Sequence, residues 1–163
     1  MDKTDDVRIS AKVDYAVRAA VQLAAAEGSG PVKGDEIAAA QDIPINFLEN
    51  ILSLLRNAGF VMSRRGADGG YWLALPADRI TIADIVRVID GPLAAVRGVR
   101  PSETQFPAPA EPMRDVWVAV RASLRAILEE VTLADIVRRE LPGVVSEWTT
   151  RDGAWESPPL ISD

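Results

Sequence analysis

The sequence predicts a mainly α-helical fold with a small β-wing, a winged helix-turn-helix DNA-binding domain followed by a long C-terminal dimerisation helix. Three observations carry that expectation. Three helix-period segments crowd the first part of the chain, a short hairpin with a basic, glycine-rich tip follows them, and a long apolar-striped segment stands beyond a proline-rich stretch.

The first helix is read over Ser10–Glu27, where Val13, Ala16, Val17, Ala20, Val21, Ala24 and Ala25 recur at helical spacing. Ser10 is placed to cap it and Gly28 to stop it. After the turn Gly28-Ser29-Gly30-Pro31, residues Lys33–Gln41 form a short second helix with Ile37 and Ala38 inward. Asp42-Ile43-Pro44 breaks it, and proline suits the first turn of a third helix. There Phe47, Leu48, Ile51, Leu52 and Leu55 make the apolar stripe, while Asn46, Glu49, Asn50, Ser53 and Arg56 occupy the other face. Asn57-Ala58-Gly59 ends it.

The period then changes to that of strands. Phe60–Arg64 and Gly70–Leu75 flank Arg65-Gly66-Ala67-Asp68-Gly69, a hairpin with a basic tip. Thr81 caps a further helix through Ile89, stopped by Gly91-Pro92. Pro101–Pro112 holds four prolines and no apolar period, which marks a loop or a disordered stretch. Met113–Val131 is the long helix, and Thr132–Leu141 a shorter one ending at Pro142-Gly143. The last residues, with Trp148, Trp155 and Pro158-Pro159, show no sustained period. The expected organisation is a DNA-binding domain over 1–80, a connecting helix and proline-rich loop over 81–112, dimerisation helices over 113–142 and a flexible tail over 143–163. No internal repeat or low-complexity segment is read.

Composition narrows the chemistry. The 163 residues contain no Cys and no His. No disulfide can form, no thiolate or imidazole can hold zinc, haem or an iron–sulfur cluster, and no nucleophile can be driven by imidazole. A carboxylate site for a hard cation such as magnesium needs only oxygens and stays open. No carboxylate pair stands out as an acid/base couple, and neither a phosphate loop nor a dinucleotide fingerprint is present. The expectation is therefore no enzyme, no metal and no cofactor. The acidic N-terminus Met1–Asp6 does not resemble a signal peptide, and the most apolar stretch, Ala16–Ala26, is too short to span a bilayer. A cytoplasmic protein without membrane attachment is expected.

Charge alone supports a nucleic-acid partner weakly, because the chain carries 18 basic against 24 acidic residues, net −6. The residues through Leu75 hold eight basic and ten acidic side chains. Affinity for DNA must then depend on a few placed cations. Asn46 and Asn50 lie four apart on the third helix with Glu49 beside them. Asn can pair bidentately with adenine, and Glu can accept from cytosine. Arg64 and Arg65 enter the hairpin tip, where weakly hydrated arginine suits the negative minor groove. Lys12, with Arg8 before it, is placed to meet phosphate. The plainer alternative for each is a solvated surface. On the long helix, Val116, Val120, Leu124, Ile127 and Val131 form a stripe suited to a second copy of the chain. Packing within the chain is the alternative.

Several segments resemble the Rrf-type (IscR-, NsrR- and CymR-like) winged helix-turn-helix transcription regulators. They are Arg8–Arg18, Phe47-Leu48-Glu49, Leu54–Val61, Arg65–Tyr71, Ile82–Val86 with Asp90–Leu93, and Val116-Trp117 leading to Val131–Asp135. The resemblance runs from Val7 to Leu141 in order. It implies a homodimer whose long helix crosses to the partner, reading double-stranded DNA at a pseudo-palindromic operator. It places DNA contacts at Asn46, Glu49, Asn50 and Arg65, and phosphate contacts at Lys12 and Tyr15. Cluster-binding members of the family carry three cysteines after the Gly-Pro-Leu motif. Here Gly98, Gln105 and Glu111 stand near those places, and the carboxylate some members add from the first helix matches Asp14. The resemblance therefore implies a member without the cluster cysteines, with the Gly98–Glu111 loop in the sensor position. A small molecule, a partner protein or no signal at all remain open as inputs. The rival reading is a protein-interaction module that keeps the fold without binding DNA.

Overall fold

The computed structural model describes residues 9–156. Arg8, the acidic N-terminus and Pro158-Pro159, all read above, lie outside the described residues. Helix α1 spans Ala11–Ala25, α2 Gly34–Gln41 and α3 Ile45–Asn57; strands β1 (Val61–Arg64) and β2 (Gly70–Leu73) form the hairpin. Helices α4 (Ile82–Asp90), α5 (Met113–Leu128), α6 (Leu133–Arg138) and α7 (Gly143–Thr149) follow. The wing is antiparallel, with Val61 opposite Leu73 and Arg64 opposite Gly70.

Helix α1 is central because its inward face is small. Ala16, Ala19 and Ala20 are fully or almost fully buried, so α2, α3, α4 and α6 all pack against it. Around it sit Leu23, Ile37, Leu48, Ile51, Leu52, Leu55, Ile80, Ile85 and Leu133, none more than 2 % exposed. One core thus takes residues from both sides of position 80, and α4 and α6 belong to it as fully as α1–α3. The Ser10 side chain accepts the Val13 N–H at 3.1 Å and donates to Asp90 at 2.9 Å, which ties the start of α1 to the end of α4.

Four expectations need correcting. Phe47, read into the α3 stripe, is 56 % exposed and sets its ring edge-on to Tyr15. The long helix ends at Leu128, so Val131 lies beyond it, buried at 6 % in the core. The C-terminal region begins with a helix, α7, which packs against α5. Its Trp148 ring takes the Arg151 guanidinium 3.6 Å from its centroid.

The fourth correction is a repeat. Ile80-Thr81-Ile82-Ala83-Asp84-Ile85-Val86-Arg87 is echoed by Val131-Thr132-Leu133-Ala134-Asp135-Ile136-Val137-Arg138. Both copies start a helix with the same reciprocal cap, in which the Asp carboxylate accepts the Thr N–H and the Thr hydroxyl accepts the Asp N–H. The two caps pair antiparallel: Ile82 N–H donates to Val131 O at 2.9 Å and Leu133 N–H to Ile80 O at 3.0 Å. The Thr132 N–H and hydroxyl hold the Asp135 carboxyl below its usual range. The repeat escapes a search for long periods because it is one helix start, used twice about a local two-fold.

At its C-terminal end α5 is fastened to α4 through one carboxylate. Glu129 accepts two hydrogen bonds from Arg125, at 2.9 and 3.2 Å, and a third from Arg87 on α4. Arg125 and then Arg87 draw the Glu129 pKa down from 4.5 to about 2. A carboxylate with a depressed folded-state pKa contributes stability above its ordinary value and loses it as pH falls through the folded one. Thermal melts should therefore show part of the acid destabilisation between pH 4.5 and about 2 disappearing in Glu129→Gln. An unchanged acid profile in that variant would contradict the fastening.

Candidate nucleic-acid interface

Helix α3 buries one side and offers the other. Leu48, Ile51, Leu52 and Leu55 hold it in the core, while Asn46, Glu49 and Asn50 are exposed in its first two turns. Short polar side chains at that end of a supported helix are the groups that reach base edges. Two aromatic rings set the helix on α1. The Tyr15 and Phe47 centroids lie 6.1 Å apart, edge to face, and Arg18 covers Tyr15 at 5.1 Å while pairing with Asp14 at 2.9 Å. The Tyr15 ring thus braces α1 against α3. Lys12, three residues before it, is half-buried on the first turn of α1.

The wing is rooted by its glycines. A Cβ on Gly69 would sit 2.0 Å from the Arg64 carbonyl oxygen, and one on Gly70 would sit 2.5 Å from Val32 O. That second approach lets Tyr71 and Val32 exchange backbone hydrogen bonds, both 2.8 Å. The α1–α2 loop is in this way stitched to the hairpin. Arg64 and Arg65 are exposed at the tip, and Arg64 donates to Asp68 O at 3.1 Å.

Two cations that the sequence reading did not assign to this face join it. Lys33, just before α2, donates to Gly66 O at 2.8 Å, and Arg56, near the end of α3, donates to the Ser63 hydroxyl at 3.2 Å. With Arg64 and Arg65 they line a cleft of about 560 Å³ between α2, α3 and the wing. Among the described residues none of these four cations forms an ion pair. Arg56 was legible as a member of the polar α3 face. Lys33 was not, because only the Val32–Tyr71 pairing brings it under the wing.

The residues read as a dimerisation stripe divide. None of the sixteen residues of α5 is buried; Val116 is 48 % exposed, while Val120, Leu124 and Ile127 are half-buried. Val131 is inside the core, as described above. The α5 helix also contacts the short turn Pro101–Glu103, in which Pro101 is buried.

The fold is that of a winged-helix transcription regulator, with the recognition-helix face and the wing turned outward. The model of the Rrf2 family, described as iron-dependent transcriptional regulator, matches residues 9–139, and the chain belongs to that family. It is 49 % identical over 151 residues to Rv1287 of Mycobacterium tuberculosis, whose own assignment as an HTH-type transcriptional regulator is provisional. That match covers 93 % of this chain and 94 % of the relative. The HTH-type transcriptional regulator CymR of Bacillus subtilis is 37 % identical over 130 residues, 80 % of this chain and 89 % of the relative. Among solved structures, CymR, the global cysteine regulator of B. subtilis, aligns with a TM-score of 0.70 at 35 % identity. The alignment covers 81 % of this chain and 97 % of that one. IscR of T. potens aligns at 0.67 and 35 % identity, over 81 % and 87 %.

The iron in the family description does not suit this chain's donors. An iron–sulfur cluster is held by thiolates, with imidazole as the usual substitute, and the sequence has neither Cys nor His. Among the described residues no three carboxylates gather into a group that holds a metal. No helix among them is long and apolar enough to cross a membrane.

Proposed function

We propose that the chain is a cytoplasmic, homodimeric regulator that binds a specific pseudo-palindromic DNA site and holds no iron–sulfur cluster of its own. The supporting observation is the exposed row Asn46, Glu49 and Asn50 at the start of α3, flanked by the wing cations Arg64 and Arg65. In this reading α3 enters the major groove, Asn46 and Asn50 pair with adenine edges, and Glu49 accepts from a cytosine amino group. Arg65 enters the adjoining minor groove, while Lys12 meets a phosphate. Tyr15 braces α3 through its ring, and its hydroxyl meets a phosphate beside Lys12. The partly exposed α5 stripe Val116, Val120, Leu124 and Ile127 pairs with a second copy, which spaces two such units along the DNA. A signal, whether small molecule or partner protein, acts through the Gly98–Glu111 loop, because its turn rests against α5 and a shift there changes the angle between the two readers.

The test offers purified protein a pool of genomic fragments at low and moderate salt. The reading expects a few fragments retained at moderate salt and a different set retained by Asn50→Ala. No fragment retained at any salt would favour the protein-interaction module, which the net acidic first 75 residues support.

A further inference from the structure

The cleft beneath the wing belongs to three elements that are distant in sequence. Lys33 comes from the α1–α2 loop, Arg56 from the end of α3, and Arg64 and Arg65 from the wing. All their recorded partners are neutral. The Gly66 and Asp68 carbonyls and the Ser63 hydroxyl orient the cations without cancelling their charge. No carboxylate lines the cleft. The nearest acids in sequence are Asp68, exposed at the wing tip and meeting Arg64 through its carbonyl, and Asp35 and Glu36 in the first turn of α2, where Glu36 accepts the Lys33 backbone N–H at 3.3 Å. Such a concentration in a chain of net charge −6 favours an anion locally against the overall field.

The cleft also continues the reading face. Glu49, Ser53 and Arg56 follow one another by four and three residues, so they lie along one side of α3. Arg56 stands about 10 Å along the axis from Glu49, towards the wing and away from the end that meets bases. A group held there flanks the reading face instead of sharing it.

We propose that this cleft seats a DNA backbone phosphate, gripped by Lys33 and Arg56 with Arg64 at the rim. The seat fixes the register of the wing on the duplex. Because Lys33 is also bonded to the base of the wing tip, a phosphate in the seat presses the α1–α2 loop and the hairpin into one unit. This rests on the DNA-binding reading above and adds to it the residues that set position without reading sequence.

The test measures binding to a selected operator and to a random duplex across a salt series. It compares the wild-type chain, Lys33→Gln/Arg56→Gln, and the charge-keeping swap Lys33→Arg/Arg56→Lys. One phosphate contact per subunit predicts that the neutral pair lowers the slope of log K against log salt by about two in a dimer. The loss should be alike on both duplexes, and the swap should restore the slope. An unchanged slope in the neutral pair overturns the seat. So does a loss confined to the operator, and so does a swap that fails to restore the slope, since the pair would then act through wing shape alone. If the wild-type chain holds neither duplex, the DNA-binding reading falls and takes the seat with it. Melting curves of the three proteins report whether the fold is intact.

Discussion

Val116→Asp/Val120→Asp should turn a dimer into a monomer of unchanged fold and cost about 10²- to 10⁴-fold in affinity for a two-half-site operator. Both residues sit on α5, none of whose residues is fully buried; Val116 is 48 % exposed and Val120 half-buried. Removing their methyl groups therefore takes little from the core. A carboxylate at position 116 lies in the first turn of α5, where the helix dipole favours it, and position 120 is partly exposed, so α5 itself should persist. The cost falls on the contact between copies, where two like-charged pairs would face each other in a desolvated seam. Without that contact each half-site binds alone, and the gain from linking the two readers is lost. Light scattering should report half the wild-type mass, with the helical circular dichroism unchanged. A dimer of wild-type mass in this variant would remove α5 from the interface.

Gly69→Ala is the second large effect. The added Cβ meets the Arg64 carbonyl oxygen at 2.0 Å, with the Arg65 carbonyl carbon at 2.7 Å, and both are backbone. The hairpin tip must open, since neither neighbour is the far end of a flexible side chain. Strain of this kind costs about 1–3 kcal/mol. For a chain of this length that lowers the melting temperature by a few degrees. The effect on DNA should be larger, because Arg64 and Arg65 are re-aimed and Gly66, whose carbonyl holds Lys33, moves with them. A loss of about 1–3 kcal/mol per half-site is expected, while the helices keep their circular dichroism. Wild-type affinity in this variant would show that the wing does not touch the duplex.

Local pattern made most of the fold legible. The caps Ser10 and Thr81 and the stripe Leu48, Ile51, Leu52 and Leu55 are written within a turn or two of the structure they make. What escaped depends on chains meeting at a distance. Phe47 has the spacing of a core residue, yet the 100° it adds beyond Leu48's direction turns it to Tyr15 on another helix. Val131 has the spacing of the α5 stripe, but the helix stops three residues earlier and the backbone pairing with Ile82 carries it inward. Arg56 was visible as part of a polar face, and Lys33 only as the start of a short helix. That they share a cleft follows from the Val32–Tyr71 pairing, which no period encodes. The missing Cys and His, in contrast, were fully legible and bear directly on chemistry.

Hydroxyl-radical footprinting of the wild-type chain on a selected fragment tests the central claim most directly. The account predicts two protected half-sites related by two-fold symmetry, their centres about 34 Å or one helical turn apart, or a multiple of it, with minor-groove protection beside each that is lost in Arg65→Ala. A single unsymmetrical patch, or protection that ignores Arg65, would contradict it.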